Sequence, residues 1–294
     1  TAIENLSLAG PGFINISIKD SALAHHVNEF KNDKRSGVPY PQSIESVVVD
    51  YGGPNVAKPM HVGHLRSSII GDTLKRLLSF IGHEVVGDNH MGDWGTQMGM
   101  LIGELKRAQP DLPYFDPHYS GTYPETSPIS LTDLEEMYPR ASSACTQDEE
   151  RMKEALLFTN ELQQGNKGYV ALWIHFVNLS IRALKKDFTK LGVHFDYWYG
   201  ESFYKDLMDI LVKELKKEEI LTESNGALVI PVEQEDDKKE IPPLMLVKSG
   251  GGYLYGTSDL AALKFRNEVF KATEIIYVVD QRQHLHFEQL FRAA

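Results

Sequence analysis

The sequence predicts an α/β protein built on a parallel sheet, with α+β segments inserted into it. Three observations lead there. A short β-branched run, Ser46 to Asp50, is followed by a helical pattern and a second run, Glu84 to Gly87, within the span of about 40 residues that a βαβ unit occupies. The turn Tyr51-Gly52-Gly53-Pro54-Asn55 joins the first run to the helix, as a strand-to-helix loop requires. Far downstream, Ile275-Ile276-Tyr277-Val278-Val279 has the unbroken apolar character of a strand buried on both faces.

The elements follow in order. From Val62, the residues Leu65, Ile69, Ile70, Leu74, Leu77, Leu78 and Ile81 recur at helical spacing, and Gly82 stands where that helix ends. The right-handed crossover rule then places Asp50 to His64 beyond the carboxyl ends of the strands, where ligands of such sheets bind. Between Pro110 and Glu150 the composition turns to Pro, Ser, Thr and acidic residues, which reads as an insertion without a core of its own. Helical patterns resume over Glu149 to Leu191, and the aromatic stretch Val193 to Tyr199 reads as another strand. A charged helix over Phe203 to Glu219 comes next, then a hairpin pairing Ala227 to Pro231 with later residues. The charged run Glu233 to Glu240 is a solvated loop. Leu244 to Val247, Ser249 to Gly252 and Tyr253 to Tyr255 read as strand, turn and strand, with the Gly250 to Gly252 segment a hairpin turn rather than a phosphate cradle. A helix capped by Thr257 or Ser258 follows.

Composition narrows the function classes. With 294 residues, 42% hydrophobic and 24% charged, the chain can bury a core without disulfides or a structural metal. Its one cysteine, Cys145, forms no intrachain bridge, so a reducing cytoplasm is expected. The longest apolar stretch, Val170 to Leu184, is interrupted by His175, Asn178, Ser180 and Arg182 and is no membrane span, and no signal peptide is seen. A net charge of -11 argues against a general polyanion binder, though not against a local basic face. The start at Thr1 and the helix-like ending through Phe287 to Ala294, with no Gly or Pro to stop it, read as a piece of a longer protein.

The sharpest chemical signal is Lys58-Pro59-Met60-His61-Val62-Gly63-His64, where a loop enters a helix. Two imidazoles three residues apart share one side of the first turn, beside backbone N–H groups without intrahelical partners and a dipole that favours anions. Gly63 lets a flat group such as a purine approach the backbone, and Lys58 adds a positive charge. Polar surface histidines, or a zinc site completed by His90 or Asp93, are the competing readings. Neither a Walker P-loop nor a serine-nucleophile elbow occurs in the chain.

The string Asp50-Tyr51-Gly52-Gly53-Pro54-Asn55-Val56-Ala57-Lys58-Pro59-Met60-His61-Val62-Gly63-His64-Leu65-Arg66-Ser67 resembles the signature region of arginyl-tRNA synthetases, with His61 to His64 as their class I His-Ile-Gly-His motif. Further matches follow in order: His90 to Gln97, Gly200 to Tyr204, Gly251 to Ala262, and Tyr277 to His286. Leu8 to Asn15 is similar to the last strand of that family's N-terminal additional domain. The resemblance therefore implies a remnant of that domain and a linker over residues 1–45, and the first part of a Rossmann-type nucleotide-binding catalytic domain over 46–106. An insertion spans 107–243, with some catalytic-domain helix and strand at about 173–201, and a truncated second part of the catalytic domain covers 244–294. The resemblance further implies that the family's anticodon-binding domain lies outside this stretch of sequence.

What the resemblance implies is a two-step reaction. Arginine and ATP give arginyl-adenylate and pyrophosphate, and the arginyl group then passes to tRNA(Arg); in this family arginine activation waits for the tRNA. Attack by the arginine carboxylate on the α-phosphate builds charge on phosphate oxygens, so catalysis is mostly positioning and electrostatics, with magnesium on the leaving pyrophosphate. His61, Gly63, His64 and Lys58 are the implied ATP-side residues, with His61, His64 and Lys58 catalytic. Asp50, Asn55, His64, Tyr255, Asp259 and Gln283 are implied to line the arginine pocket, since a guanidinium has five donors and pairs best with carboxylates. Taken alone, Asp259 reads as first-turn helix charge, Asp50 as a strand-end acid and Tyr255 as a packed aromatic. Trp94 and Gln97 are adenosine-side or structural residues. No Lys-Met-Ser-Lys motif occurs; many members lack it and carry a lysine just ahead of the first signature, where Lys58 stands. Asp50 stands where some relatives have Glu. No protein-bound zinc, no membrane association and a monomer are expected. The alternatives are another class I synthetase, an adenylyltransferase of the His-x-Gly-His type, and a non-catalytic relative acting as a binding module.

Overall fold

The computed structural model describes residues 1–58 and 60–294; Pro59, within the signature string, lies outside the described residues. The central sheet is parallel, in the order β4-β3-β8, built from β3 (Ser46–Tyr51), β4 (Glu84–Asp88) and β8 (Glu274–Val278). Val47 to Tyr51 are buried throughout, as a central strand covered on both faces must be. Helix α2 (Val62–Ile81) makes the crossover, and Gly82 ends it at φ 122, returning its N–H to the Leu78 carbonyl. Only glycine takes that φ without strain, so the sequence reading of the helix end holds. The register sets Asp50 beside Asp88 on one side and Tyr277 on the other, at the carboxyl ends of the strands.

A helical layer packs beside this sheet: α3 (Thr96–Ala108), α4 (Leu131–Gln147), α5 (Glu149–Gln163) and α6 (Lys167–Lys190). The insertion read as coreless is not so. Tyr114, Ile129, Leu134 and Met137 join Met98, Leu101, Ile102, Phe158 and Phe176 in one apolar core. Helix α4 opens on a capping box in which Ser130 Oγ accepts from Asp133 N–H and the Asp133 carboxylate accepts from Ser130 N–H. Its buried residues, Leu134, Met137, Ala141 and Cys145, form a narrow stripe, which a polar composition masks.

The stretch Val193 to Tyr199 also differs from expectation. It runs beside β4 without forming a strand: Asp196 and Tyr197 N–H donate to the Gly87 carbonyl, Gly87 N–H donates to Asp196 Oδ2, and Asp88 and Tyr197 form an isolated bridge. Its work is packing: Phe195 stacks on Tyr51, and the Tyr51 hydroxyl donates to the His194 carbonyl at 2.6 Å. Beyond it, α7 (Lys205–Lys217) and α8 (Tyr255–Val269) cover a small antiparallel sheet of β5 (Thr222–Ser224), β6 (Ala227–Ile230) and β7 (Leu244–Val247). Of these, β5 escaped the sequence reading. The Gly250 to Gly252 segment is the expected turn, with Lys248 N–H donating to Gly252 O and Gly251 N–H to Lys248 O.

Helix α8 begins at Tyr255, earlier than predicted, without a side-chain cap. Thr257 and Ser258 do not cap it, because their hydroxyls donate to the carbonyls of Leu246 and Tyr255. Tyr255, expected at the end of a strand, thus opens a helix at the mouth of the sheet. At the amino end, Leu8 to Asn15 is not one strand. It spans the turn of a hairpin between β1 (Ile3–Ala9) and β2 (Phe13–Ile18), reversed by Gly10 and Gly12 at φ 57 and 113. Helix α1 (Asp20–Phe30) follows, and α9 (His284–Ala293) packs beside α8. Among the described residues no helix is long and apolar enough to cross a membrane.

Candidate active site

A cleft of about 590 Å³ opens at the carboxyl ends of the parallel strands, where the sheet topology directs ligands. One wall is the start of α2. His61 is its N-cap; its Nδ1 accepts from Gly63 N–H at 3.1 Å, and His64 Nδ1 accepts from His61 N–H at 3.3 Å. With Nδ1 of both rings accepting, the hydrogen bonding assigns the proton of each neutral imidazole to Nε2. The pair thus offers two ring N–H donors at the positive end of the helix, whose Gly63 and His64 N–H groups already pair with the His61 ring and carbonyl. Burial, then the neighbouring His61 and Lys58, hold His64 below the usual histidine range, so it is a neutral donor at pH 7. A Cβ at Gly63 would lie 2.8 Å from the His61 ring. The glycine that looked like room for a purine is thus also room for the first histidine.

The opposite wall is acidic. Asp259, on the first turns of α8, is gripped by two imidazoles: its Oδ2 lies 2.6 Å from His286 Nε2 and its Oδ1 3.2 Å from His90 Nε2. Burial pushes the Asp259 carboxyl up, but the His286 hydrogen bond and the close His90 ring outweigh it and hold it far below the usual range. Burial pulls His90 down, yet the Asp259 carboxylate 3.2 Å away and the charge of Asp50 raise it to about 9. Glu201 lies alongside with no salt bridge among the described residues, and burial lifts it to about 7, with Asp93 and Asp259 adding to the rise against His90. Asp50 completes the wall. Its Oδ2 accepts from Arg266 Nη2 at 2.6 Å, and burial raises its carboxyl against the pull of Arg266.

The His90 shift has a pH consequence. Its folded value lies above the unfolded one, about 6.5, so the stabilisation is full below pH 6.5 and lost as pH rises through about 9. The thermal midpoint is expected to fall between pH 6.5 and 9 in the unaltered chain and to stay flatter in His90→Gln, as scanning calorimetry would read. Parallel curves would remove His90 from the account.

A family model described as tRNA synthetases class I (R), catalytic domain, matches residues 26–294. The chain belongs to this arginyl-tRNA synthetase family. Proteins named arginine–tRNA ligase from Alkaliphilus oremlandii (strain OhILAs) and Francisella tularensis subsp. novicida (strain U112) are 49% and 50% identical to it, covering 99% and 98% of this chain and 50% and 49% of their own lengths. The chain thus spans about half the length of these relatives. A solved arginyl-tRNA synthetase of Plasmodium falciparum matches with a TM-score of 0.73 at 29% identity, over 99% of this chain and 48% of that one. A solved arginyl-tRNA synthetase of Thermus thermophilus shares the fold, with a TM-score of 0.65 at 22% identity, over 100% of this chain and 52% of that one.

In this class I catalytic domain all of the residues expected around arginine, Asp50, Asn55, His64, Tyr255, Asp259 and Gln283, line the one cleft, together with His61 and Gly63. Lys58 does not line it. Its ammonium sits 5.2 Å from the centre of the Tyr138 ring on α4, so the charge expected at the phosphates is turned towards the helical layer. Trp94 and Gln97 border a smaller adjoining chamber of about 260 Å³, which shares Asn55, Glu201 and Tyr255 with the main cleft. Both are also structural: the Trp94 carbonyl accepts from Gln163, its ring meets Trp173 edge-on, and Gln97 donates to the Gly92 carbonyl. The zinc reading meets Asp93 with both oxygens engaged by Ser202, and among the described residues no group of three or more metal-ligating side chains is gathered.

The sequence assigned no role to Glu201, His286 or Arg266, and to His90 only a place in the competing zinc reading. His90, Glu201 and His286 lie within the matched strings, but as polar residues between motif glycines and aromatics they showed no pattern of their own. Their signal is spatial: each faces Asp259. Arg266 lies outside every matched string and is 1% exposed.

Proposed function

We propose that the protein activates L-arginine with ATP to arginyl-adenylate and transfers the arginyl group to tRNA(Arg), in the cytoplasm. The observation that carries this reading is the polarity of the cleft: an anion-binding helix start with two imidazole donors on one wall, and Asp50, Glu201 and Asp259 on the other. A substrate that fits is cationic at its side chain and carries its reactive carboxylate towards a bound phosphate. Arginine has that form. Its guanidinium, with five donors and no acceptor, suits the neighbouring carboxylates of Asp259 and Glu201, and a bound cation would draw Glu201 into its charged state. Its ammonium then reaches Asp50, whose Oδ1 has no hydrogen-bond partner among the described residues.

With arginine so held, its carboxylate lies towards the helix start. There the Nε2–H groups of His61 and His64 and the backbone N–H groups of α2 donate to phosphate oxygens of ATP, more strongly as the α-phosphate gains charge in the transition state. Magnesium arriving with ATP supplies charge neutralisation at the leaving pyrophosphate. Gln283 and Asn55 orient the substrate from the rim, and Tyr255, 60% exposed and edge-on to His286, closes the mouth. The test is arginine-dependent exchange of labelled pyrophosphate into ATP, with tRNA(Arg) present, in a chain of the relatives' full length. Exchange with arginine and none with lysine is the expected result; exchange indifferent to the amino acid would overturn the reading.

A further inference from the structure

One cation of the molecule lies out of reach of any ligand. Arg266, in the last turn of α8, is 1% exposed, and its guanidinium reaches all three strands of the parallel sheet. Nη2 donates to Asp50 Oδ2 on β3 at 2.6 Å and to Asp88 Oδ2 on β4 at 2.8 Å, while Nη1 donates to the Tyr277 hydroxyl on β8 at 2.9 Å. Buried ion pairs of this kind rarely add net stability over an apolar replacement, because desolvating the charges offsets their attraction. The cluster is not even saturated: among the described residues, Asp88 Oδ1, Arg266 Nε and the Tyr204 hydroxyl are buried without partners. Stability is therefore a poor reason for its presence, and its place beneath the cleft floor is a better one.

We propose that Arg266 is a positioning residue for substrate recognition, a fixed internal guanidinium that aims Asp50 at the cleft and sets α8 against the strand ends. The inference rests on the arginine-binding reading above. Asp88, 0% exposed, anchors Arg266 from below, while the Asp50 side chain, 10% exposed, is held by one oxygen only and keeps the other for the cleft. Both carboxylates meet the same Nη2 through their Oδ2 atoms, so without Arg266 they face each other and compete for a proton. Asp259 lies seven residues before Arg266, two turns earlier on the same side of α8 and about 10 Å along the axis. One anchor thus governs both ends of the acidic wall. The ionisable groups facing this network are Asp50 from β3, Asp88 from β4, His90 beyond it, Tyr204 before α7 and Tyr277 from β8.

The test uses Arg266→Met and Arg266→Lys in a chain of the relatives' full length. Arg266→Met is expected to raise the KM for arginine at least tenfold and the KM for ATP less than threefold. Arg266→Lys, which restores a charge but not the fork, is expected to recover part of the loss. Should the Met variant fail to fold, the Lys variant alone is expected to show a fivefold or larger rise for arginine with ATP within twofold. Equal weakening of arginine and ATP would mark a merely structural residue and overturn the proposal. A second readout needs no substrate: the Asp50 carboxyl resonance, followed by carbon NMR against pH, should titrate at least one pH unit higher in Arg266→Lys or Arg266→Met than in the unaltered chain. An unmoved Asp50 titration overturns the positioning role even if the substrate is not arginine, whereas a moved titration in a protein that ignores arginine would fault the functional reading alone.

Discussion

Asp259→Asn is expected to weaken arginine by about 30- to 150-fold, the factor that follows from losing a charge-assisted pair worth roughly 2–3 kcal/mol, while ATP changes less than threefold. The expected asymmetry comes from the site's geometry. Asp259 stands on the acidic wall, across the cleft from the helix start proposed to take phosphate. An amide keeps the size of the carboxylate and one acceptor oxygen, but it cannot satisfy a guanidinium, and it presents an N–H group to His90 or His286 where each now meets an oxygen. The substitution also removes the charge that holds His90 protonated up to about 9. Separate titrations of arginine and an ATP analogue, with the His90 ring followed by NMR, measure both effects. Equal losses for the two ligands would assign Asp259 a structural role.

The second large effect is expected at His64. His64→Ala should lower arginine activation at least tenfold, and His64→Gln nearly as much, but only the alanine variant should also lose stability. In the capping box of α2 the His64 ring accepts from the N-cap N–H, a position usually filled by Glu or Gln. Glutamine can make that bond and preserve the helix start, yet it brings no imidazole to the phosphate. The cap alone is worth about 1 kcal/mol. Thermal unfolding beside pyrophosphate exchange separates the two functions of one ring. A glutamine variant with an unchanged exchange rate would show that the cap was all His64 supplied.

The part of the fold legible in the sequence was the part where one physical pattern dominates. The unit β3-α2-β4 announced itself because a buried parallel strand is a continuous apolar run, a surface helix has a period of 3.6, and Gly82 alone suits the reversal between them. Helix α4, inside the insertion, was hidden for the converse reason. In α4 the buried stripe of Leu134, Met137, Ala141 and Cys145 is narrow, Pro139 sits within it, and the flanking Ser, Thr and acidic residues read as loop. The start of α8 was misplaced because Thr257 and Ser258 are good capping residues whose hydroxyls are instead committed to the carbonyls of Leu246 and Tyr255. Propensity names what a residue can bond, and the fold decides which partner it meets.

The same division runs through the site. The anion-binding wall is local, a helix start with its own residues, so His61, Gly63 and His64 could be read in line. The acidic wall is assembled from β3, the loop after β4, the 3-10 turn at Glu201–Tyr204, α8 and α9, and only the family resemblance brought Asp50, Asp259 and Gln283 together in advance. Its supports, His90, His286 and Arg266, act by contacts across separations that no spacing rule covers. Lys58 shows the limit in the other direction. Its place beside the signature suggested a charge for ATP, yet its ammonium rests against Tyr138.

Selection of a guanidinium by charge is the core of the proposed function. Calorimetric titration of the chain with arginine, citrulline and lysine, in the presence of a non-hydrolysable ATP analogue, tests it most directly. Citrulline keeps the length and planarity of arginine without its charge, and lysine keeps the charge without the fork. The account predicts saturable binding of arginine at least thirtyfold tighter than either. Arginine that binds no better than citrulline would contradict it.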